Sequence, residues 1–291
     1  MVALQHSPPP VPNHVWVYGN DHSPWVQAVL LGLFEKNIDH TFVTVPPVSV
    51  ILRSGVMMPM AKIDDGPWIW DSEKILVAIG YDEVKASQRP ALSRVFGNEA
   101  MRRTDNVWNF WHAFSQSRDG HPSGVRRSWN HFWRAFPVFY FFTLIRVIGR
   151  SLPTATKKHL ISAFSYFQDQ LEPDADFLAG DTPNTADLQL FGLVQMCASV
   201  PGASLKVLVE EPKLERLRDW IAAMQSRLAT YPRLYSAAHF DPRQPASAIA
   251  RPFEQFLFWC GAATFILALP VSVAATFYYM RRVRHNGMQR M

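Results

Sequence analysis

Cysteine is almost missing from this sequence: its 291 residues contain two, Cys197 and Cys260. Neither a disulfide framework nor a cysteine-based zinc site nor a CxxC redox pair can be assembled from them, and the shortage fits a reducing compartment. The ten histidines nowhere take HxxH or HxxxH spacing, so that helical metal-binding pattern is absent as well. Over the first thirty residues there is no basic start, apolar run and cleavage site in order, so no export signal is read there. Pro8, Pro9, Pro10 and Pro12 mark residues 1–14 as a leader without regular structure. Acids are missing from residues 281–291, where Arg281, Arg282, Arg284 and Arg290 supply most of the formal net charge of +5. The rest of the chain is near neutral, which argues against a nucleic-acid partner.

Charge of either sign is missing from residues 256–280, FLFWCGAATFILALPVSVAATFYYM. As a helix this run of about 25 residues rises roughly 37 Å, against a hydrocarbon core of about 30 Å. Trp259, Tyr278 and Tyr279 lie near its ends, where amphipathic rings favour the interface, and Pro270 is better tolerated in a membrane than in water. The sequence therefore predicts a transmembrane helix over 253–280, reached through a Pro-punctuated linker at 241–252 and followed by a basic tail at 281–291. The lipid bilayer is the partner this implies.

What is present before that run divides in two. Residues 15–85 read as a small α/β unit. An apolar strand at 15–18 is followed by the loop GNDHSP and a helix at 25–35, in which Val26, Val29, Leu30 and Leu33 recur on one face. A second strand at 41–45, joined through that helix, must run parallel to the first. Residues 60–63 and 68–70, separated by DDGP, predict a hairpin, and Asp71 with Ser72 leads into a short helix. The order β-α-β, then β-β-α, is that of a thioredoxin-like domain. From 92 to 240 the period becomes helical: Leu160, Phe164, Phe167 and Leu171 share one stripe, and Leu214, Leu217, Ile221 and Met224 another. Between them Asn184 precedes a helix with Asp187 three residues on, a capping-box pattern.

A strand followed by SPWV, the Met58–Pro59 step before a strand, the Asp71–Ser72 turn and the GDTPNTAD helix start follow the order and approximate spacing of the glutathione S-transferases. The chain resembles that family from residue 15 to about 235. The resemblance implies a thioredoxin-like α/β domain followed by an all-α helical domain. It also implies glutathione as co-substrate, no metal, a small hydrophobic electrophile as second substrate, and allows a homodimer. It assigns Ser23 to the glutathione sulfur, and a helix N-terminus there would favour a thiolate. Read without the family, Ser23 is equally a plain helix cap. Pro59 matches the family's cis-proline, which turns the Met58 backbone toward a peptide-like ligand; a trans proline opening an edge strand is the other reading. Asp71 and Ser72 would hold the γ-glutamyl end, or simply cap their helix. Many relatives carry a basic residue just before the proline step; here Val56 and Met57 stand there, and Arg53 is the nearest cation.

Between Arg118 and Lys158 lie Arg126, Arg127, Arg134, Arg146, Arg150 and Lys157, interleaved with Trp129, Phe132, Trp133, Phe136, Phe139, Tyr140, Phe141 and Phe142. Such a basic, aromatic insert at 118–158 suits either a headgroup surface or a helix pair packed within the α domain. Trp108, Trp111, His112 and Phe114 are expected on the helix that faces the N-terminal unit. Two functions follow. One is a membrane-anchored transferase that conjugates glutathione to hydrophobic electrophiles or reduces lipid peroxides. The other is a non-catalytic adaptor that keeps the fold. The arginine tail would place the soluble part across the membrane by the positive-inside rule, but without an export signal a tail-anchored protein facing the cytosol is expected.

Overall fold

The structure, a computed structural model, describes residues 12–55, 57–101, 107–119, 121–149, 153–172, 175–241 and 249–268, with 270, 271, 274, 277, 278 and 281 beyond. The N-terminal unit is one four-stranded sheet in the order β2-β1-β3-β4. Strand β1 (Val15–Tyr18) buries Val15 and Val17 and exposes Trp16, the alternation of a strand whose two faces differ. It pairs in parallel with β2 (His40–Val43), as the connection through α1 (Pro24–Glu35) requires. On its other side β1 meets β3 (Met60–Ile63) antiparallel, and β3 pairs with β4 (Trp68–Trp70). A helix not expected from the sequence, α2 (Val48–Ser54), follows β2; it seats Val50 on Tyr18 and Met60 and leaves Val48 and Leu52 exposed. Its β-branched, apolar run carries no helical period to betray it. Helix α3 (Ser72–Ala78) closes the unit.

The second unit is helical: α4 (Arg89–Phe96), a π-helical turn at Gly97–Met101, α5 (Val107–Gln116), α6 (Gly124–Gly149), α7 (Lys157–Gln168), α8 (Thr185–Ser199), α9 (Ala203–Glu210), α10 (Glu215–Arg227), α11 (Ala237–Phe240) and α12 (Pro252–Leu267). Both expected stripes are core: Leu160, Phe164, Phe167 and Leu171 on one side, Leu214, Leu217, Ile221 and Met224 on the other. Asn184 caps α8 as the motif predicts. Its Oδ1 accepts from the amides of Ala186 and Asp187, and Asp187 Oδ2 accepts from the Asn184 amide. Every residue of α8 is buried, because α1 crosses it closely on one side. Gly192 permits that crossing: a Cβ there would stand 2.2 Å from the Pro24 carbonyl oxygen.

The C-terminal run departs from expectation. No single helix among the described residues is long and apolar enough to cross a membrane; the α8–α9 pair has the composition but bends by 112° inside the core. Helix α12 lies alongside α6 and buries one stripe, Glu254, Phe258, Gly261, Ala262 and Phe265. Arg127 meets Glu254, Phe132 meets Gly261 and Phe136 meets Phe265, so the two helices run in the same direction. The sequence could not show this stripe, since a helix apolar on all sides has no period to read. The remaining faces stay exposed, with Phe256 at 60% and Leu267 at 85%. The expected linker ends docked rather than free: Ile249 bridges Ser117, and the buried Ala250 donates its amide to the Gln116 carbonyl at 2.7 Å. In the insert, Arg127 and Arg134 point inward and are buried, so neither is available to headgroups. The leader through residue 11, residues 242–248, part of the run beyond Leu267, and Arg282, Arg284 and Arg290 lie outside the described residues.

Candidate functional site

A cavity of about 330 Å³ opens between the two units, and four of the residues singled out in the sequence, Met58, Pro59, Asp71 and Ser72, line it. The Met58–Pro59 bond is cis. Asp71 is held at φ 90°, a conformation costly for a side chain with a Cβ and typical of sites where the surroundings over-determine the backbone. Its Oδ1 accepts from the Glu73 amide at 2.8 Å, the capping role foreseen for it. Ser72 is buried, and its Oγ accepts from Gln189 Nε2 at 3.1 Å. Gln189 belongs to α8, so the helical unit reaches into the site and fixes the hydroxyl's role: with its lone pair engaged, the Ser72 proton is free to donate.

The cavity also takes residues that sequence reading missed. Arg89, at the start of α4, donates from Nε and Nη2 to the two carboxylate oxygens of Glu73 at 3.1 and 2.6 Å. Those bonds hold the Glu73 carboxyl below the usual carboxylate range against its partial burial. Trp25 and Trp70 form aromatic walls. No local motif marks Arg89 or Trp70, Trp25 stands inside SPWV without having been singled out, and Gln189 sits four residues into the capped helix and could have been noticed from the GDTPNTAD start. Arg53 lies on α2, and its side chain, like Val56, falls outside the described residues.

Ser23 is placed differently. It begins α1 with Pro24 in the first turn, its carbonyl accepts from the Gln27 amide at 2.9 Å, and its hydroxyl makes no capping bond. Ser23 thus holds the N-cap position of α1 through its backbone, without a side-chain cap bond. Ser23 is half-buried and does not line the cavity, whereas Trp25, two residues on, does. The loop ahead of it is tied to the cavity wall by the Asn20 amide, which donates to the Met58 sulfur at 3.2 Å. Asn20 is itself buried, with Nδ2 unpaired among the described residues. Tyr18 is fully buried, and burial pushes its phenol pKa well up, so it is no source of a phenolate. Among the described residues no cluster of His, Cys, Asp and Glu could hold a metal ion.

Residues 136–227 match the family model described as glutathione S-transferase, C-terminal domain. Over those residues the helical unit is similar to a GST C-terminal domain. The match covers the end of α6 through α10, including the Asn184 cap and Gln189, and the sheet before it has the thioredoxin-like order. Similar solved structures include an epsilon-class glutathione S-transferase from housefly, Musca domestica (16% identity, 89% of this chain and 98% of that one, TM-score 0.43). Glutathione S-transferase isozyme E7 from Drosophila melanogaster matches at 19% identity over 84% of this chain and 95% of that one, with a TM-score of 0.41. Glutaredoxin 2 from Salmonella typhimurium, solved in complex with glutathione, matches at 16% identity over 77% and 98%, with a TM-score of 0.43. No curated protein matches the sequence. Gln189, within the matched residues, completes the cavity wall beside Ser72.

Proposed function

We propose that the cavity binds glutathione and that the chain uses it on hydrophobic substrates, adding the thiolate to electrophiles or reducing lipid peroxides. The observation that carries this reading is the convergence of Met58, Pro59, Asp71 and Ser72, from separate stretches of sequence, on one cavity whose hydroxyl is oriented by Gln189 of the helical unit. The Ser72 hydroxyl and the Asp71 carboxylate suit the carboxylate and ammonium of a γ-glutamyl group. Arg89 brings to the rim the positive charge that the proline step lacks, and a ligand carboxylate can share it with Glu73. Thiolate stabilisation falls to the loop ahead of α1, with the Ser23 hydroxyl as its donor.

The second reading, a non-catalytic adaptor, is favoured by one observation: Ser23 stands outside the cavity lining. Calorimetry on the full chain in detergent micelles, followed by turnover with a chlorinated nitroaromatic, separates the two. Binding with turnover supports the transferase; no heat at millimolar glutathione leaves the adaptor.

The charge-free run 256–280 supports a membrane anchor, and the same proposal has the globular part facing the cytosol. The exposed apolar faces of α12 are the surface such an anchor would offer to lipid. Carbonate extraction of membranes from the source cell tests the anchor: recovery of the chain in the soluble fraction overturns it.

A further inference from the structure

We propose that Asp21 is a positioning residue for the loop carrying Ser23, and that the seating of α12 on α6 holds Asp21 in place through the turn at 116–119. This rests on the reading above only for the role of Ser23; the mechanical coupling stands by itself. Asp21 is 1% exposed, in the loop between β1 and α1. Ser117 Oγ lies 3.2 Å from both of its carboxylate oxygens, Tyr235 OH donates to Oδ2 at 3.0 Å, and Arg233 Nε stands at 3.8 Å. A buried carboxylate keeps its charge only while such partners stay in place.

Ser117 is in turn gripped from two further elements. Arg134 of α6, 1% exposed, donates to its carbonyl at 2.6 Å and reaches Asp119 Oδ2 at 3.7 Å. The chain entering α12 bridges Ser117 at Ile249 and donates the Ala250 amide to Gln116. One turn farther, Glu254 accepts from Arg127 Nε at 3.0 Å and from the Arg251 amide at 3.0 Å, which pins the first turn of α12 to α6. The contacts from Glu254 to Asp21 thus run through the Arg251 amide, the Ala250–Gln116 hydrogen bond and Ser117, partly by hydrogen bonds and partly along the chain itself. Asp21 lies two residues from Ser23, whose amide is bonded to Asn20 at 2.9 Å. A C-terminal helix attached by a slack tether would need none of these contacts. Its docking makes the apolar C-terminal run a structural part of the candidate thiol loop, so displacement of α12 by lipid or a partner is felt at Ser23.

Hydrogen exchange on the full chain in micelles tests the coupling without reference to glutathione. Glu254→Ala and Ser117→Ala should each speed exchange of the amides of Asp21, His22 and Ser23 at least tenfold, while the amides of α8 keep their protection. Glu254→Gln, which retains an acceptor for Arg127, should restore most of it. If Glu254→Ala exposes α8 as well, Ala250→Pro, which removes the amide bonded to Gln116 and restrains the Ile249–Ala250 backbone, takes its place with the same expectation. Faster exchange at 249–256 with the 21–23 amides unchanged overturns the proposal. Where the protein turns over glutathione, the loosened variants should also shift the pH–rate profile to higher pH with KM for glutathione nearly unchanged. A coupled loop in a protein that binds no glutathione would sink the enzymatic reading and leave the coupling intact.

Discussion

Ser72 and Gln189 show how much of the candidate site hangs on a single side-chain pair. Gln189→Leu keeps the volume and removes the donor that orients the Ser72 hydroxyl. A net hydrogen bond of about 1 kcal/mol predicts glutathione binding weakened roughly fivefold to tenfold, read by calorimetry, with the melting temperature little changed. Asp71→Ala with Ser72→Ala removes both γ-glutamyl partners and should abolish retention on immobilised glutathione; retention by the double variant would move the site elsewhere.

The buried histidines carry a pH prediction at the same scale. His22 packs between Phe114 and Tyr235, with ring centroids 4.3 and 5.0 Å away. Burial lowers its pKa to about 4, with Asp21 opposing; burial and then Arg134 lower His131 to about 4, with Glu254 and Asp119 opposing. Both rings are therefore neutral in the folded protein at pH 6, while the unfolded chain protonates near pH 6.5. The unfolded state binds more protons between those values, so stability is full above about pH 6.5 and falls as pH drops toward 4, by on the order of 3 kcal/mol per ring. Chemical denaturation at pH 7 and pH 5 should show the loss, and His131→Leu should reduce it by about half. A stability that is level over that range would show that the rings are not held neutral.

Among the elements, two glycines set helix spacings that no side chain could share. At Gly192 the obstacle to a Cβ is backbone on α1, the Pro24 carbonyl at 2.2 Å and the Ala28 nitrogen at 3.1 Å. Gly192→Ala should cost about 1–3 kcal/mol by forcing α1 from α8, seen as a lower denaturation midpoint. At Gly261 a Cβ would meet the Phe132 carbonyl oxygen at 2.1 Å. Gly261→Leu should therefore release α12 from α6 while the α8 core persists, and the element-resolved readout is exchange over 252–267. The capped start of α8 belongs here too. Asn184→Ala removes the acceptor for two amides and should cost about 1 kcal/mol.

For the molecule as a whole, the issue is whether the C-terminal run is an appendage. The contacts of α12 say it is not. A chain ending at residue 248 would strip the cover from Ala135, Val138 and Phe139 and leave Arg127 without Glu254. Removing one partner of a buried pair costs about 3–5 kcal/mol, so the shortened chain should melt lower and self-associate in dilute detergent-free solution. If it is monomeric and melts with the full chain in micelles, α12 is a passenger.

The sequence by itself determined the strands and the parallel β1–β2 connection. It also determined the buried stripes of α7 and α10 and the Asn184 cap. Each of these depends on period, turn chemistry or hydrogen bonds between near neighbours. The tertiary structure decided the rest. Gln189 meets Ser72 across 117 positions, and Ser117 meets Asp21 across 96; neither pairing leaves a trace in local pattern. It also decided which face of the charge-free run packs, because a segment apolar on every side carries no periodic signal until a neighbour such as α6 selects one of its faces.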